Sequence, residues 1–402
     1  MRIVVLAGGS DQIALINELK SRGHYVILVD YFANPPARGY ADEHIQASTL
    51  DVEKVKEVVI SKEADLLCTA CTDQALLTVA DVSEQLGLPC YISYQTALNV
   101  TNKSYMKRRM IETGIPTARF VIVDSFDEGQ IEGMKYPMVV KPVDCNSSKG
   151  VVKVSDIQSL KQALNDAVGY SRTGTAVIEE FKEGIEISAD LYVEGDKAKF
   201  LSATSSYKIS GRNSFTILGS IYPVITQQQE DAIVKIASAI AFSFGLKDCP
   251  LLIQMIVGKD SIDVIEFSAR MGGGSKYYLI KELSGVDIMS KYVDLILGQK
   301  PTVEPHKREG FCRMNYIYCR PGVFDKVVGF ESLQQQGVIS EYFMYKTSGM
   351  TISSASTSGD RAAGYLVVAD TEEELQTKLS VADAGISVLT PDGEDIMIHN
   401  LS

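Results

Sequence analysis

The first hundred residues alternate between two hydrophobic periods. Short apolar runs, "RIVVLA", "YVILVD" and "ADLLCTA", carry residues that buried strands favour. Between them, apolar residues recur every three or four positions, the helical period. In "SDQIALINELKSRG" these are Ile13, Ile16 and Leu19, with Ser10 placed as an N-cap and Gly23 as a stop. In "DVEKVKEVVISK" they are Val52, Val55 and Val59. "DQALLTVADVSEQLG" predicts a third helix and "PCYIS" a further strand. Such alternation predicts a doubly wound parallel α/β sheet.

The texture then changes. "TNKSYMKRRMIETGIP" (101–116) predicts a junction helix ended by Gly114 and Pro116. Strands are predicted at 118–123, 137–142, 150–154, 176–180, 186–194 and 198–206. A helix over 226–245 precedes a hairpin, 251–257 with 262–267. The last stretch mixes short strands with a helix near 371–384. The chain thus divides into an α/β domain over 1–100, a second domain over 101–304, and a small α+β region over 305–402 that packs on it.

Charge narrows the function classes. The 402 residues carry a formal charge of −12 and no run rich in Lys or Arg. A nucleic-acid binder needs a basic stripe, so nucleic acid is not expected as a partner. No apolar run is long enough to span a membrane, and the start lacks a signal peptide's features. A cytoplasmic protein is expected. Seven cysteines, an odd number, suggest reduced thiols. Cys68 and Cys71 have redox or zinc spacing, but no second pair accompanies them, so buried structural thiols are expected. The four histidines lie far from every motif below, which argues against a histidine base or a His-rich metal site.

Gly8-Gly9-Ser10 follows the first strand, but a dinucleotide fingerprint needs glycines at 8, 10 and 13, where this chain has Gly8, Ser10 and Ile13. A small-ligand site at the carboxyl ends of the strands remains, with Gly8, Gly9 and Ser10 as candidates. The densest chemistry lies in "DVIEFSARMGGGS" (263–275). Strand alternation puts Glu266, Ser268 and Arg270 on one face. A hairpin symmetric about Asp260 sets Gln254 opposite Glu266, and oxygen ligands of this sort suit Mg²⁺. The competing reading is a salt-bridged sheet face, Glu266 with Arg270. Lys141 sits in an apolar strand, where it needs an anionic partner. A polar loop, 144–150, follows it, and Lys103 opens a helix. "AVIEEFKEGIEISAD" ends a strand at Glu179, Glu180 and Phe181 ahead of Glu186, which suits either a nucleoside site or a charged turn.

Order and spacing of these pieces resemble the ATP-grasp superfamily along essentially the whole chain, and within it the carboxylate–amine ligases. The opening residues are similar to purine-pathway members, and the final region is more similar to amino-acid ligases and biotin-carboxylase-like enzymes. The resemblance implies a pre-ATP-grasp domain over 1–100, an ATP-grasp domain over 101–304 with a lid at about 115–180, and ATP with Mg²⁺ or Mn²⁺. It implies that Lys103 and Lys141 bind phosphates, with Asn146, Ser147, Ser148 and Gly150 in the flap above them. Glu179, Glu180 and Phe181 become the adenine hinge, and Glu186 the ribose ligand. Gln254, Glu266 and Ser268 become the metal ligands, although Ser268 stands where relatives carry Asn. Arg270 stabilises an acyl phosphate, and Gly272, Gly273 and Gly274 approach the substrate carboxylate. The implied partners are a small carboxylate and an amine, with a homodimer as the expectation from relatives. An L-amino-acid-ligase-like enzyme is the leading reading. A purine-type ligase ranks second, because the glycinamide ribonucleotide synthetase pattern around its final acidic strand is not matched. It would need basic residues such as Arg38, Arg320 and Arg361 for a ribose phosphate. A non-catalytic ATP-binding module ranks third.

Overall fold

The computed structural model describes residues 1–145, 149–209, 216–353, 355, 357–399 and 401. Strands β1 (Arg2–Leu6), β2 (Tyr25–Asp30), β3 (Glu43–Gln46) and β4 (Leu66–Cys68) form a parallel sheet in the order β3-β2-β1-β4. Helices cover both faces. Leu15, Ile16 and Leu19 of α1 (Ser10–Ser21) pack on Ile3 and Val5. Val55 and Val59 of α2 (Val52–Ser61) and Val79 of α3 (Asp73–Leu86) pack on Val4 and Leu6 from the other side. Strands buried on both faces need a run of apolar residues, which Ile3, Val4, Val5 and Leu6 supply after the half-buried Arg2.

Local assignments depart from the pattern in four places. "PCYIS" is not a strand. Pro89 has no N–H to give a ladder, and Ile92 packs into the core of the following domain instead. The short strand β3, unpredicted, takes the edge beside β2. Ser10 begins α1 rather than capping it, because Gly9 occupies the cap position. The junction helix expected over 101–116 is α5 (Lys103–Glu112), and an unpredicted helix, α4 (Tyr94–Thr101), runs directly into it. They break at Asn102, whose side chain accepts the Ser104 N–H at 2.9 Å as the cap of α5.

Beyond α5, β5 (Phe120–Val123), β6 (Met138–Pro142), β7 (Val152–Val154) and β8 (Ala176–Glu180) form an antiparallel sheet, ordered β5-β8-β6-β7. Helix α6 (Ile157–Tyr170) covers it through Leu160, Ala163 and Leu164. A larger antiparallel sheet holds β9 (Ile185–Glu194), β10 (Lys197–Lys208), β11 (Ile217–Tyr222), β12 (Cys249–Val257), β13 (Ile262–Ser268) and β14 (Phe311–Ile317). Two later strands, Ala363–Ala369 and Glu341–Met344, complete its eight. The sheet therefore runs through position 305. The last region does not merely pack on the preceding domain, because β14 pairs with β11 and removes what would be an open edge.

The two major sheets share a core. The cluster holding Ile3 and Leu28 also holds Tyr192 and Leu201 of the large sheet. It further holds Tyr292 and Val293 of α9 (Ile288–Ile296), which follows α7 (Gln227–Phe244) and α8 (Lys276–Ser284). The Tyr292 hydroxyl donates to the Thr69 carbonyl at 2.5 Å, beside the end of β4. The carboxyl ends of the parallel strands are thereby fixed over the large sheet. No helix among the described residues is long and apolar enough to cross a membrane.

Gly219 lies opposite Asn315 of β14. A Cβ at Gly219 would overlap the Met314 carbonyl and the Tyr207 ring, and the backbone partner cannot move aside. Gly219→Ala is expected to cost about 2–3 kcal/mol, read as a lowered urea midpoint at unchanged slope.

Candidate active site

Two lysines meet one carboxylate beside the β5-β8-β6-β7 sheet. Lys141 leaves β6 and Lys107 leaves α5, one turn after Lys103. Glu179 on β8 lies 2.6 Å from Lys141 Nζ and 2.9 Å from Lys107 Nζ. Exposure is 1% for Lys107, 3% for Lys141 and 7% for Glu179, so each needs its partner. Burial pushes the Glu179 carboxyl up, but the two ammonium groups outweigh it and hold it at about 2. Burial wins at Lys107, whose pKa falls despite Glu179. Lys103 is buried as well, and its Nζ donates to the Cys145 carbonyl at 2.9 Å and lies 3.2 Å from Glu266. Burial favours neutral Lys103, yet Glu266 overrides it and the pKa rises.

These groups line a cavity of about 180 Å³ with Phe181, Glu186 and Gln254. Glu186 accepts from Lys208 at 2.6 Å. Lys153 Nζ sits 3.5 Å from the centre of the Phe181 ring. Glu180 accepts the Lys135 N–H at 3.0 Å. The N–H groups of Glu180 and Phe181 are donated to the Arg119 and Pro137 carbonyls. Those two N–H groups are therefore already committed, and Lys182, the next residue, also lines the cavity. Gly150 is not in the lining; its φ is +72°, and it packs against Pro142 and Tyr170. Asn146, Ser147 and Ser148 lie outside the described residues.

The hairpin places Gln254 opposite Glu266 by an indirect route. Met255 pairs with Val264 and Ile256 with Asp263, a register that alone would set Gln254 against Ile265. A bulge between Gln254 and Met255 moves the pairing by one, and Glu266 arrives opposite Gln254. Burial raises the Glu266 carboxyl, but Lys103 and Lys141 more than reverse it. Among the described residues no three His, Cys, Asp or Glu cluster as a metal cage. One carboxylate beside one amide oxygen instead fits a hard cation that takes its other oxygens from phosphate and water. Ser268 ends β13, and its hydroxyl donates to Asp73.

Arg270 lies past the strand and does not pair with Glu266. Its Nε and Nη2 donate to Asp73 at 2.8 and 2.5 Å, and its Nη1 to the Met271 carbonyl at 2.8 Å. Burial opposes the Asp73 charge, but Arg270 and Ser268 prevail and its pKa is lowered. The glycine turn after Arg270 is held similarly. Asp11 of α1 accepts the N–H groups of Gly274 and Ser275 at 3.0 and 2.7 Å. Burial nonetheless pushes the Asp11 carboxyl up.

This turn borders a second cavity of about 480 Å³, lined by Gly9, Ser10, Gly272, Gly273, Gly274 and Arg270 among others. Gly8 is absent from it; its N–H donates to Asp30 and its Cα faces Pro35, a structural turn. Cys71 lines this cavity half-buried, unlike the buried Cys68. Two further cations face the space. Lys276 has only Asp190, at 3.9 Å, and Arg361 has no carboxylate partner among the described residues, its Nη2 donating to the Ser358 hydroxyl at 3.2 Å. Both are over nine-tenths buried, and Lys276 Nζ and Arg361 Nε lack hydrogen-bond partners. Arg361 stacks on the Tyr316 ring at 3.5 Å. Arg38 and Arg320 lie elsewhere, bonded to Ala33 and to Asp395.

The two cavities share Lys103, Gln254 and Glu266. Sequence reasoning missed Lys107, Asp11, Asp73 and Lys276. Only Lys107 had a local signal, its four-residue spacing from Lys103 on one helical face.

The profile of the phosphoribosylglycinamide synthetase ATP-grasp (A) domain matches residues 101–274. A phosphoribosylamine–glycine ligase of Caldanaerobacter subterraneus subsp. tengcongensis is 22% identical over 395 residues, covering 93% of this chain and 94% of that protein. Among solved structures, the L-amino acid ligase of Bacillus licheniformis superposes with a TM-score of 0.79 at 21% identity, over 97% of this chain and 98% of that one. The phosphoribosylglycinamide synthetase of Anaerococcus prevotii gives 0.77 at 19%, over 97% and 99%. Residues 101–274 thus match an ATP-grasp domain, and along nearly its whole length the chain is similar to ATP-grasp ligases.

Proposed function

We propose that the protein joins a small carboxylic acid to a phosphorylated amine through an acyl phosphate, in the manner of the phosphoribosylglycinamide synthetase type. One observation carries the general reading: the two cavities meet at Lys103, Gln254 and Glu266. A nucleotide in the first cavity then presents its terminal phosphate to an acid in the second. Lys103, Lys107 and Lys141 neutralise phosphate charge, which a chain of net charge −12 must do locally. Gln254 and Glu266 are the residues that would hold Mg²⁺, which would supply positive charge to offset that of the phosphates. Glu186 faces the ribose, and residues after Glu180 the base.

The chemistry needs no protein nucleophile. The acid's carboxylate oxygen attacks the γ-phosphorus, the bond to ADP breaks, and an acyl phosphate forms. The amine nitrogen then attacks the acyl carbon, phosphate leaves, and the nitrogen releases its proton to water. Arg270, held at the mouth of the glycine turn, stabilises charge on the reacting group. The acid lies against Gly272–Gly274.

The choice of amine rests on Arg361 and Lys276. Two cations buried in a cavity without adequate partners are costly unless a ligand supplies the anion. A phosphate on the amine does so. The domain match and the curated relatives support this purine-type reading better than the amino-acid-ligase reading suggested by the sequence pattern. Likeness to the amino-acid ligase extends to the fold alone.

Three outcomes are expected. With MgATP, glycine and freshly generated phosphoribosylamine, the enzyme releases ADP and phosphate and forms the amide, detected by mass spectrometry. Turnover with pairs of L-amino acids and none with phosphoribosylamine would move the assignment to an amino-acid ligase; ATP binding without turnover of any pair would leave a binding module. Arg361→Ala is expected to raise KM for the phosphorylated amine by about 10²-fold, leaving KM for ATP within about 3-fold. Glu266→Gln is expected to shift the Mg²⁺ dependence of turnover to at least about 10-fold higher concentration, measured by metal titration at saturating ATP.

A further inference from the structure

We propose that Asp73 is the positioning residue that aims Arg270 at the reacting group. The proposal rests on the ligase reading for what Arg270 does, and on geometry alone for how it is held. Asp73 comes from the N-terminal α/β unit and Arg270 from the end of the large-sheet hairpin, 197 residues later. Its carboxylate takes the Nε and Nη2 donors of Arg270 side-on and also accepts from the Ser268 hydroxyl. The Met271 carbonyl takes a third donor, on Nη1. A guanidinium has five N–H groups. Three are committed, and two remain for a ligand in the larger cavity that both side chains line.

A free arginine side chain carries about 2 kcal/mol of rotamer entropy. A planar fork pinned at three points has already lost it before substrate arrives, and preorganised charge of this kind stabilises a transition state without reorganising. Asp73 is suited to be the fixed partner. It is the first residue of α3, where the helix dipole favours a carboxylate. Its own helix is anchored on the neighbouring side: the Gln74 amide donates to the Asp144 carbonyl at 3.3 Å and accepts from Arg172. One helical turn thus touches both the end of strand β6 and the arginine that serves the substrate.

The test compares Asp73→Asn, Asp73→Ala, Asp73→Glu, Arg270→Ala and the double variant Asp73→Ala/Arg270→Ala in the full chain. Binding of MgADP, measured by calorimetry, reports folding and is expected to stay within about 3-fold in all of them. In steady-state assays Asp73→Ala is expected to lower kcat about 10²-fold with KM for ATP nearly unchanged, and Asp73→Glu to recover about 10-fold of that loss. The double variant should be no slower than Arg270→Ala alone, because Asp73 acts through that residue. Losses that multiply in the double variant, or Asp73→Asn and Asp73→Ala that both keep more than about a third of wild-type kcat, would overturn the proposal. A second readout does not depend on turnover. In ¹H–¹⁵N spectra the slowly exchanging Nε–H resonance assigned by its loss in Arg270→Ala should vanish or exchange rapidly in Asp73→Ala. If wild type turns over no substrate pair, the ligase reading fails while this resonance still decides the positioning; its persistence in Asp73→Ala overturns that too.

Discussion

A charge withdrawn from water must meet an opposite charge nearby, and this constraint organises the whole centre of the molecule. Lys107, Lys141 and Glu179 are almost fully buried and survive there only as a cluster. Lys103 with Glu266, and Arg270 with Asp73, repeat the arrangement at lower burial. Each pair holds a cation ready at a cavity while keeping the unliganded state tolerable. Lys276, with Asp190 only at 3.9 Å, and Arg361, with no carboxylate partner among the described residues, are the least closely matched.

The pairs also explain why three separate sheets must pack as one body. Lys141 and Glu179 come from the small antiparallel sheet, Lys103 and Lys107 from α5, Glu266 and Arg270 from the hairpin and its end, and Asp11 and Asp73 from the first α/β unit. Tyr292, bonded to Thr69, keeps that unit seated on the large sheet. Glycines at 219 and 364 let rings lie flat on either side of β14, so the sheet extends to the strands that lead to Arg361.

Much of this was legible along the chain because its signals are local. Strand and helix periods depend on neighbours a few residues away, so the α/β alternation and the hairpin were readable. Lys141 within "MVVKP" announced a buried charge, and its partner Glu179 belonged to a motif already singled out. The opposition of Gln254 and Glu266 was readable as well, although it is reached through a bulge that turn symmetry does not reveal. Readings failed where distant chain intervened. Ile92 joins a core built by other segments, so "PCYIS" forms no strand. Gly8 belongs to a turn against Pro35, away from the cavity its neighbours line.

The sequence by itself determined most of the elements, their alternation and many of the charged and polar groups that line the two cavities. Those properties follow from covalent order and short-range periodicity. Tertiary structure decided which charge meets which. Arg270 could have paired with Glu266 four residues away, yet it meets Asp73, because strand β13 ends at Ser268 and α3 begins beside it. Partners separated by 197 residues leave no mark in local pattern; only the packing of α3 against the end of the hairpin brings their side chains within hydrogen-bond reach.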